Sequence, residues 1–144
     1  MESLDLKHLS KEEILDFLSK IVFELKHRGI MKTNNIVAEL GEYYAIKKLN
    51  LNSKPKGFKD YDAEKDGIRY EIKTRQKVSE PYRKSSSQYR LNDILKDYDF
   101  LILVMLNDKF VVDCMYKFPR KMFNKDTIPI TKKLLSIEEV EKIV

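Results

Sequence analysis

A hairpin signal at Asp66-Gly67 constrains the fold of this chain more than any other sequence feature. The dipeptide separates two segments, residues 58–65 and 68–76, in which apolar and charged side chains alternate. Asp-Gly favours a two-residue type I′ turn, because both turn positions need positive φ angles that these residues tolerate. Alternation with a period of two is typical of β-strands that bury one face. We therefore predict a β-hairpin centred on this turn.

Pairing outward from the turn gives the predicted hairpin one apolar and one charged face. A two-residue loop places Lys65 opposite Ile68, and each further pair is one residue farther from the turn on both strands. The opposed pairs are Ala63–Tyr70 and Tyr61–Ile72 on the apolar face, and Glu64–Arg69, Asp62–Glu71 and Asp60–Lys73 on the charged face. We expect the apolar face to pack on the core, since the register also fixes which face is buried.

The middle pair of the charged face consists of two carboxylates, Asp62 and Glu71. Cross-strand ion pairs explain the flanking pairs, but like charges directly opposite each other destabilise a hairpin. A bound divalent cation would offset this repulsion. Mg²⁺, or Mn²⁺ in its place, fits best because it takes one or two carboxylates, and no histidine or cysteine is nearby. The pattern predicts a metal site, with Asp60 as an alternative ligand on the same face.

Lys73 follows Glu71 by two residues, which places both side chains on the same face of the strand. An ammonium group beside a metal-bound phosphate can orient the attacking water or stabilise the charge that develops on the phosphate. Acids, metal and lysine in this arrangement indicate phosphodiester hydrolysis. We therefore expect the chain to be a nuclease.

The stretch YDAEKDGIRYEIKTR, residues 61–75, resembles the core motif of the PD-(D/E)XK, or restriction-endonuclease-like, nuclease superfamily. In that motif an acid on one strand is followed by E-x-K on the next, which Asp62 and Glu71-Ile72-Lys73 match. The proline that precedes the acid in the motif is missing here, as it is in many members. The resemblance implies Asp62, Glu71 and the main-chain carbonyl of Ile72 as metal ligands, and Lys73 as a catalytic residue.

The upstream stretch NNIVAELGEYYAIKKL, from Asn34 to Leu49, is similar to the helix that many members place before the hairpin. In those members this helix carries a glutamate that faces the metal site. Glu42 is the better match for that catalytic position, and Glu39 lies one turn away on nearly the same face. The resemblance implies that one of the two completes the site.

Helix and strand signals elsewhere complete a predicted α/β fold. The predicted elements are helices from Ser10 to Gly29, from Ile36 to Leu49 and from Gln88 to Tyr98, strands from Phe100 to Leu106 and from Phe110 to Tyr116, and a short terminal helix from Ser136. With the hairpin they predict a central mixed β-sheet flanked by helices, the α-β-β-β-α-β order of a restriction-endonuclease-like core. We expect one domain over residues 1–144, with an N-terminal helix in 1–32, a catalytic core in 33–116 and a C-terminal extension in 117–144.

The net charge of +5 favours an anionic partner, and nucleic acid fits better than a membrane, because no stretch approaches the roughly 18 apolar residues of a membrane span. The candidate nucleic-acid-binding residues, basic or amide-bearing and close behind the motif, are Arg75, Lys77, Arg83, Lys84, Gln88 and Arg90. Residues 1–9 contain charges and no apolar h-region, so we expect a cytoplasmic protein without a secretory signal.

Three functions fit these features. The leading interpretation is a Mg²⁺-dependent DNA endonuclease of the restriction or defence type that acts as a homodimer, because duplex cleavage needs two cuts. A junction resolvase or repair nuclease with the same site is the alternative within enzymes. A noncatalytic nucleic-acid-binding module of the same fold is the alternative outside them.

Overall fold

The fold is built around the hairpin and the apolar strand that follows it. The computed structural model describes residues 3–55, 57–77, 90–91, 97–122, 128–129 and 132–144. Within these ranges the helices are α1 (Lys11–His27), α2 (Ile36–Leu49) and α3 (Lys132–Leu135). The strands are β1 (Asn52–Ser53), β2 (Ala63–Lys65), β3 (Ile68–Gln76), β4 (Arg90–Leu91), β5 (Phe100–Leu106), β6 (Val112–Pro119), β7 (Ile128–Pro129) and β8 (Glu141–Lys142).

Most of these strands join one mixed sheet. Its six strands lie in the order β1-β2-β3-β5-β6-β8, and β4 pairs separately with β7. The pairing of β3 with β5 is parallel, whereas the other neighbours in the sheet are antiparallel. α2 packs against one face of this sheet. The predicted α/β class with a mixed sheet is confirmed.

Two separate hydrophobic clusters cover the two faces of the sheet. Residues 101–106 of β5 are all buried, because their side chains point alternately into both clusters. On the first face, Leu40 and Ala45 of α2 pack with Ile72 and Ile102. The second face is covered by partly buried residues of the C-terminal segment, Leu134, Leu135 and Val140.

The hairpin forms in the predicted register. Register pairs run from Lys65–Ile68 to Ala63–Tyr70, and Asp66 and Gly67 have φ angles of 52° and 80°. Both turn residues therefore occupy the left-handed region that a type I′ turn requires. The register of this turn was predictable from the dipeptide alone.

The ladder of the hairpin ends earlier than predicted, one residue after Asp62 on the first strand. On the other side of this strand, the carbonyl of Asp62 accepts a hydrogen bond from the N–H of Lys54 at 3.1 Å, which continues the pairing of β1 with β2. The predicted cross-strand pairs Asp62–Glu71 and Asp60–Lys73 are therefore not formed. The expectation that a cation offsets two directly opposed carboxylates is wrong, because the Asp62 carboxylate bonds to the Ile72 N–H and does not stand opposite Glu71 in the ladder.

Two further predicted contacts of the hairpin, Tyr61–Ile72 and the Glu64–Arg69 ion pair, are replaced by contacts with other residues. Tyr61 packs with the second cluster, on the opposite side of the sheet from Ile72. Glu64 binds Lys54 at 3.0 Å and accepts a hydrogen bond from the Tyr61 hydroxyl at 2.8 Å. Arg69 binds two aspartates that precede β5 rather than Glu64. Residues before β2 therefore bind Glu64, and residues before β5 bind Arg69.

Both N-terminal helices form where the capping signals predict them. Ser10 and Glu13 make the reciprocal capping-box hydrogen bonds of α1, and the Asn35 side chain accepts a hydrogen bond from the Ala38 N–H at the start of α2. α1 contributes no buried residue to the core, whereas α2 is largely buried. None of the helices in the described ranges has the length and apolar character that a membrane crossing requires.

The C-terminal part of the chain differs from the predicted arrangement. The short helix α3 ends before Ser136, and the residues that follow form turns and then β8, which pairs with β6. The predicted helix from Ser136 is wrong. Val140 and Ile143 pack against the hydrophobic clusters of the sheet, and β-branched side chains favour such positions on a sheet. β6 also runs from Val112 to Pro119, across the predicted boundary at residue 116.

The predicted third helix, from Gln88 to Tyr98, lies mainly outside the described residues. Within that stretch Arg90 and Leu91 pair antiparallel with Pro129 and Ile128, so these two positions are extended rather than helical.

Candidate metal and active site

Strand β3 places Glu71 and Lys73 next to each other in a buried position. Lys73 Nζ lies 3.1 Å from Glu71 Oε1, and the side chains are 13% and 1% exposed. Glu71 lies on the same face of the sheet as its register partner Leu101. Because this charged pair is buried, the attraction between the two charges is stronger than it would be on the surface. Each charged group also loses its hydration.

Asp62 is held beside this pair by main-chain hydrogen bonds. Its Oδ2 accepts a hydrogen bond from the Ile72 N–H at 2.7 Å, and its own N–H donates to the Tyr70 carbonyl at 2.9 Å. These bonds attach the carboxylate to β3 although Asp62 lies outside the ladder. The described hydrogen bonds of the carboxylate use Oδ2 alone.

Helix α2 brings Glu42 to the same place. A cavity of about 370 Å³ is lined by Glu42 together with Asp62, Glu71, Ile72 and Lys73. Four residues predicted as catalytic from the sequence therefore meet around one cavity, although Glu42 lies on another element.

Glu39 and Asp60, the two alternative acids, have other positions. Both carboxylate oxygens of Glu39 accept hydrogen bonds, from the Lys32 N–H at 2.7 Å and from the Thr33 hydroxyl at 2.9 Å. Glu39 thereby fixes the segment that precedes α2. Asp60 is exposed, and neither acid lines the cavity that contains Glu71. The geometry favours Glu42 over Glu39 and Asp62 over Asp60.

Several lining residues could not be predicted from the motif. Asn35, Val37 and Ala38, at the N-terminal end of α2, line the cavity, where the helix dipole favours negative charge. A smaller adjoining cavity of about 160 Å³ shares Glu42 and Asp62 and adds Lys32, Lys54, Phe58 and Tyr61 among its lining residues. Lys32 and Lys54 lie between regular elements, where no periodic pattern indicates which way a side chain points.

The candidate nucleic-acid-binding residues are only partly described. Arg75 lines the larger cavity, and its guanidinium donates to the Thr74 carbonyl at 2.8 Å. Lys77 forms an ion pair with Asp113 on β6. Arg83, Lys84 and Gln88 lie outside the described residues, as does the side chain of Arg90.

Arg69 anchors the beginning of β3 next to the site. Asp99 accepts hydrogen bonds from the Arg69 main-chain N–H at 2.8 Å and from its guanidinium at 3.1 and 3.2 Å. Asp97 accepts another at 2.6 Å. The hydrogen bonds from Arg69 lower the pKa of the Asp99 carboxyl below its ordinary value. These bonds hold the parallel strands β3 and β5 in register where Glu71 begins the site.

The chemistry of the acids fits Mg²⁺ or Mn²⁺. Among the described residues, no group of three or more His, Cys, Asp or Glu side chains is placed to hold a metal ion. Mg²⁺ needs only one or two carboxylates, because it keeps several waters and binds substrate phosphate, whereas structural zinc takes four protein ligands. Asp62 and Glu71 supply two carboxylates on one cavity.

Comparison with known proteins does not assign this chain to a family. No protein-family model matches it, and no curated protein matches it.

Proposed function

We propose that this chain is a metal-dependent endonuclease with a PD-(D/E)XK, restriction-endonuclease-like core that hydrolyses phosphodiester bonds in DNA. The observation that carries the proposal is the meeting of Asp62, Glu71, Lys73 and Glu42 around one cavity. The three acids and the lysine come from α2, from β3 and from the segment that precedes β2, and all four line this cavity. The net charge of +5 adds support for a polyanionic substrate.

Asp62, Glu71 and the Ile72 carbonyl are the groups that would hold a Mg²⁺ or Mn²⁺ ion. The ion supplies polarisation of the scissile phosphate and a lowered pKa for water, which makes hydroxide accessible near neutral pH. The Asp62 carboxylate is oriented before a metal ion binds, because its Oδ2 accepts a hydrogen bond from the Ile72 N–H. Preorganised ligands reduce the ordering that binding would otherwise require.

Lys73 supplies the positive charge for the reaction. Its ammonium group is held by Glu71 at 3.1 Å and is largely shielded from water, so its position is restricted before substrate arrives. From this position it can stabilise negative charge that develops on the phosphate oxygens, an interaction that is stronger in a site from which water is excluded. Glu42, across the cavity, can accept a proton from water or orient it.

The basic residues around the two cavities suit the backbone of the substrate. Arg75 lines the larger cavity, and Lys32 and Lys54 line the smaller one. Cations at the rim of a nuclease site bind phosphates and set the register of the duplex without reading its sequence. A homodimer would cut both strands, since each chain supplies one site.

A plasmid-nicking assay tests the proposal. Supercoiled DNA is incubated with purified protein and Mg²⁺ or Mn²⁺, and Asp62→Ala and Lys73→Ala are compared with Lys109→Ala, which removes an exposed lysine in the loop between β5 and β6. We expect nicking by the wild type and the control, and a loss of about 10²-fold or more in the two site variants. Equal nicking by all four proteins would overturn the proposal. Absence of nicking on supercoiled, single-stranded and branched DNA, with binding retained, would support the noncatalytic module.

A further inference from the structure

The smaller cavity beside the candidate site has two aromatic rings in its wall. Phe58 and Tyr61 both line it, and their ring centroids lie 5.0 Å apart with the ring planes at 74°. Aromatic pairs favour this edge-to-face arrangement. The Tyr61 ring also packs against the second hydrophobic cluster, whereas Phe58 is 42% exposed. Phe58 therefore keeps accessible ring surface, although its partner ring is anchored on the core.

Lys54 and Glu64 hold the two rings in place. The Lys54 ammonium group lies 5.0 Å from the centroid of the Phe58 ring and 5.3 Å from that of the Tyr61 ring. Glu64 accepts hydrogen bonds from Lys54 Nζ at 3.0 Å and from the Tyr61 hydroxyl at 2.8 Å. These cation–π contacts and hydrogen bonds fix the orientation of the rings. A ring that is already fixed loses little freedom when a planar ligand stacks on it.

The smaller cavity adjoins the proposed catalytic centre. Glu42 and Asp62 line both this cavity and the larger one. Successive nucleotides of a strand are joined through their phosphates, so a strand with its scissile phosphate in the larger cavity places an adjoining nucleotide at the smaller one. The two acids lie on the side that the cavities share, where the proposed metal ion would offset their negative charge.

Lys32 supplies a positive charge for that nucleotide. It is exposed and lines the smaller cavity. Its main-chain N–H binds Glu39, and its ammonium group forms no ion pair with the residues that the structure describes. The Lys54 ammonium group, in contrast, is bound to Glu64. Lys32 is therefore a cation that can bind a phosphate oxygen in this cavity.

We propose that the smaller cavity is a nucleotide subsite, in which a base next to the scissile phosphate stacks on Phe58 and Lys32 binds a neighbouring phosphate. Sites for single-stranded nucleic acid combine aromatic rings and cations in this way. The subsite rests on the proposed nuclease function and gives it a substrate class. A base can stack on a protein ring only when it is unpaired or turned out of the duplex, so the substrate is a strand with an unpaired nucleotide beside the cleavage point.

Binding of oligonucleotides tests the stacking without any need for cleavage. Fluorescence anisotropy, with Ca²⁺ in place of Mg²⁺, compares a short oligothymidylate with an abasic strand of the same length, which keeps the phosphates and lacks the bases. We expect the wild type to bind the oligothymidylate about ten-fold more tightly. Phe58→Leu keeps an apolar side chain without a ring and should lose this preference, whereas Phe58→Tyr should retain it. Phe23→Leu, at a 71% exposed position of α1 that lines neither cavity, should behave as the wild type.

A salt series tests the phosphate contact of Lys32. Lys32→Ala should weaken binding of the oligothymidylate and reduce the slope of log affinity against log salt concentration by about 0.7, as expected for one lost contact to a single-strand phosphate. Lys109→Ala removes an exposed lysine far along the chain from both cavities and should change neither quantity. An unchanged slope in Lys32→Ala would remove this residue from the subsite.

A duplex with one unpaired thymidine tests the substrate class. The wild type should bind it more tightly than the perfect duplex, and Phe58→Leu should bind the two equally. Equal affinity of the wild type for the base-bearing and abasic strands, a preference that survives in Phe58→Leu, or its loss in both Phe58→Leu and Phe58→Tyr would overturn the proposal. A protein that binds as expected but does not nick DNA would contradict the proposed catalysis alone, so the two failures are distinguishable.

Discussion

Gly41 of α2 lies directly against Thr74 of β3. A β-carbon at position 41 would be 1.6 Å from Thr74 Oγ1 and 2.6 Å from Thr74 Cβ. No side chain other than hydrogen fits between the helix and the strand at this point. The next residue in the helix is Glu42, so the contact that sets the distance between α2 and the sheet also sets the distance between Glu42 and Glu71 of β3.

Replacement of Gly41 by alanine should destabilise the protein. Helix propensity alone predicts a gain of about 1 kcal/mol in the free energy of unfolding for Gly→Ala. Overpacking against Thr74 costs about 1–3 kcal/mol or more, because backbone and side chain must both shift. We expect the clash to dominate in urea denaturation. Lys48→Ala, at an exposed position of the same helix, should change the free energy of unfolding by less than about 0.5 kcal/mol, and a Gly41→Ala variant as stable as wild type would show that α2 lies farther from β3.

Glu39 and Glu42 should respond in opposite ways to substitution by alanine. Loss of the buried Glu39 side chain removes the acceptor for the Lys32 N–H and the Thr33 hydroxyl, two partly buried hydrogen bonds that hold the segment before α2, so the melting temperature should fall. Loss of Glu42 should reduce DNA cleavage with little change in the melting temperature. Thermal melts and nicking rates of both variants make the comparison, and a Glu42→Ala enzyme with full activity would remove Glu42 from the site.

Mg²⁺ should raise the melting temperature of the wild type. A ligand that binds only the folded state stabilises it by about 2.7 kcal/mol at a concentration one hundred times its dissociation constant. Asp62→Asn should lose this shift because it removes a carboxylate ligand, whereas Asp60→Asn, at an exposed position outside the cavity, should retain it. The reverse result, with the shift lost only in Asp60→Asn, would make Asp60 the ligand.

The parts of the fold that were predictable from the sequence depend on local interactions. Asp66-Gly67 fixes the register of the hairpin, Ser10 and Asn35 cap their helices, and the run of apolar residues at 100–106 forms the strand buried on both faces. Each of these signals acts within a few residues of the element that it specifies. Tertiary packing supports them rather than competes with them.

The parts that were not predictable depend on distant segments. The regular pairing of the hairpin ends at Asp62, where the Asp62 carboxylate, rather than the main chain of Tyr61, accepts the hydrogen bond from the Ile72 N–H. The terminal segment pairs as a strand because β6 offers it an edge. Glu39 and Glu42 have similar positions in the helical pattern, and the contact of Glu39 with Lys32 and Thr33 distinguishes them only in the folded chain.

Acid should weaken the protein partly through Asp99. Hydrogen bonds from Arg69 lower the pKa of Asp99 below its ordinary value of 3.8. A carboxyl with a lowered pKa in the folded state contributes stability above that ordinary value, and this contribution is lost as the pH falls through the folded pKa. Melting temperatures of Asp99→Asn should therefore be lower than those of the wild type at pH 7, and the difference should shrink in strong acid.

Asp97→Asn is the matched control for this pH dependence. Asp97 accepts a hydrogen bond only from the guanidinium of Arg69 in the described contacts, and its side chain is far more exposed than that of Asp99. We expect a smaller change in melting temperature at pH 7. A difference between wild type and Asp99→Asn that stays constant with pH would mean that packing, and not the charge, accounts for it.

The tight turn at Asp66-Gly67 makes Asp62 and Glu71, the two proposed metal ligands, close neighbours along the chain as well as in space. Closing a short loop costs little chain entropy, and that cost does not depend on the length of segments elsewhere. Insertions after residue 77 or before residue 52 would therefore leave the separation of Asp62 and Glu71 unchanged. Such insertions could alter how closely Glu42 or a second copy of the chain approaches the site. They would leave the Asp62–Glu71 pair as it is, so the sequence around the hairpin can diverge while the pair persists.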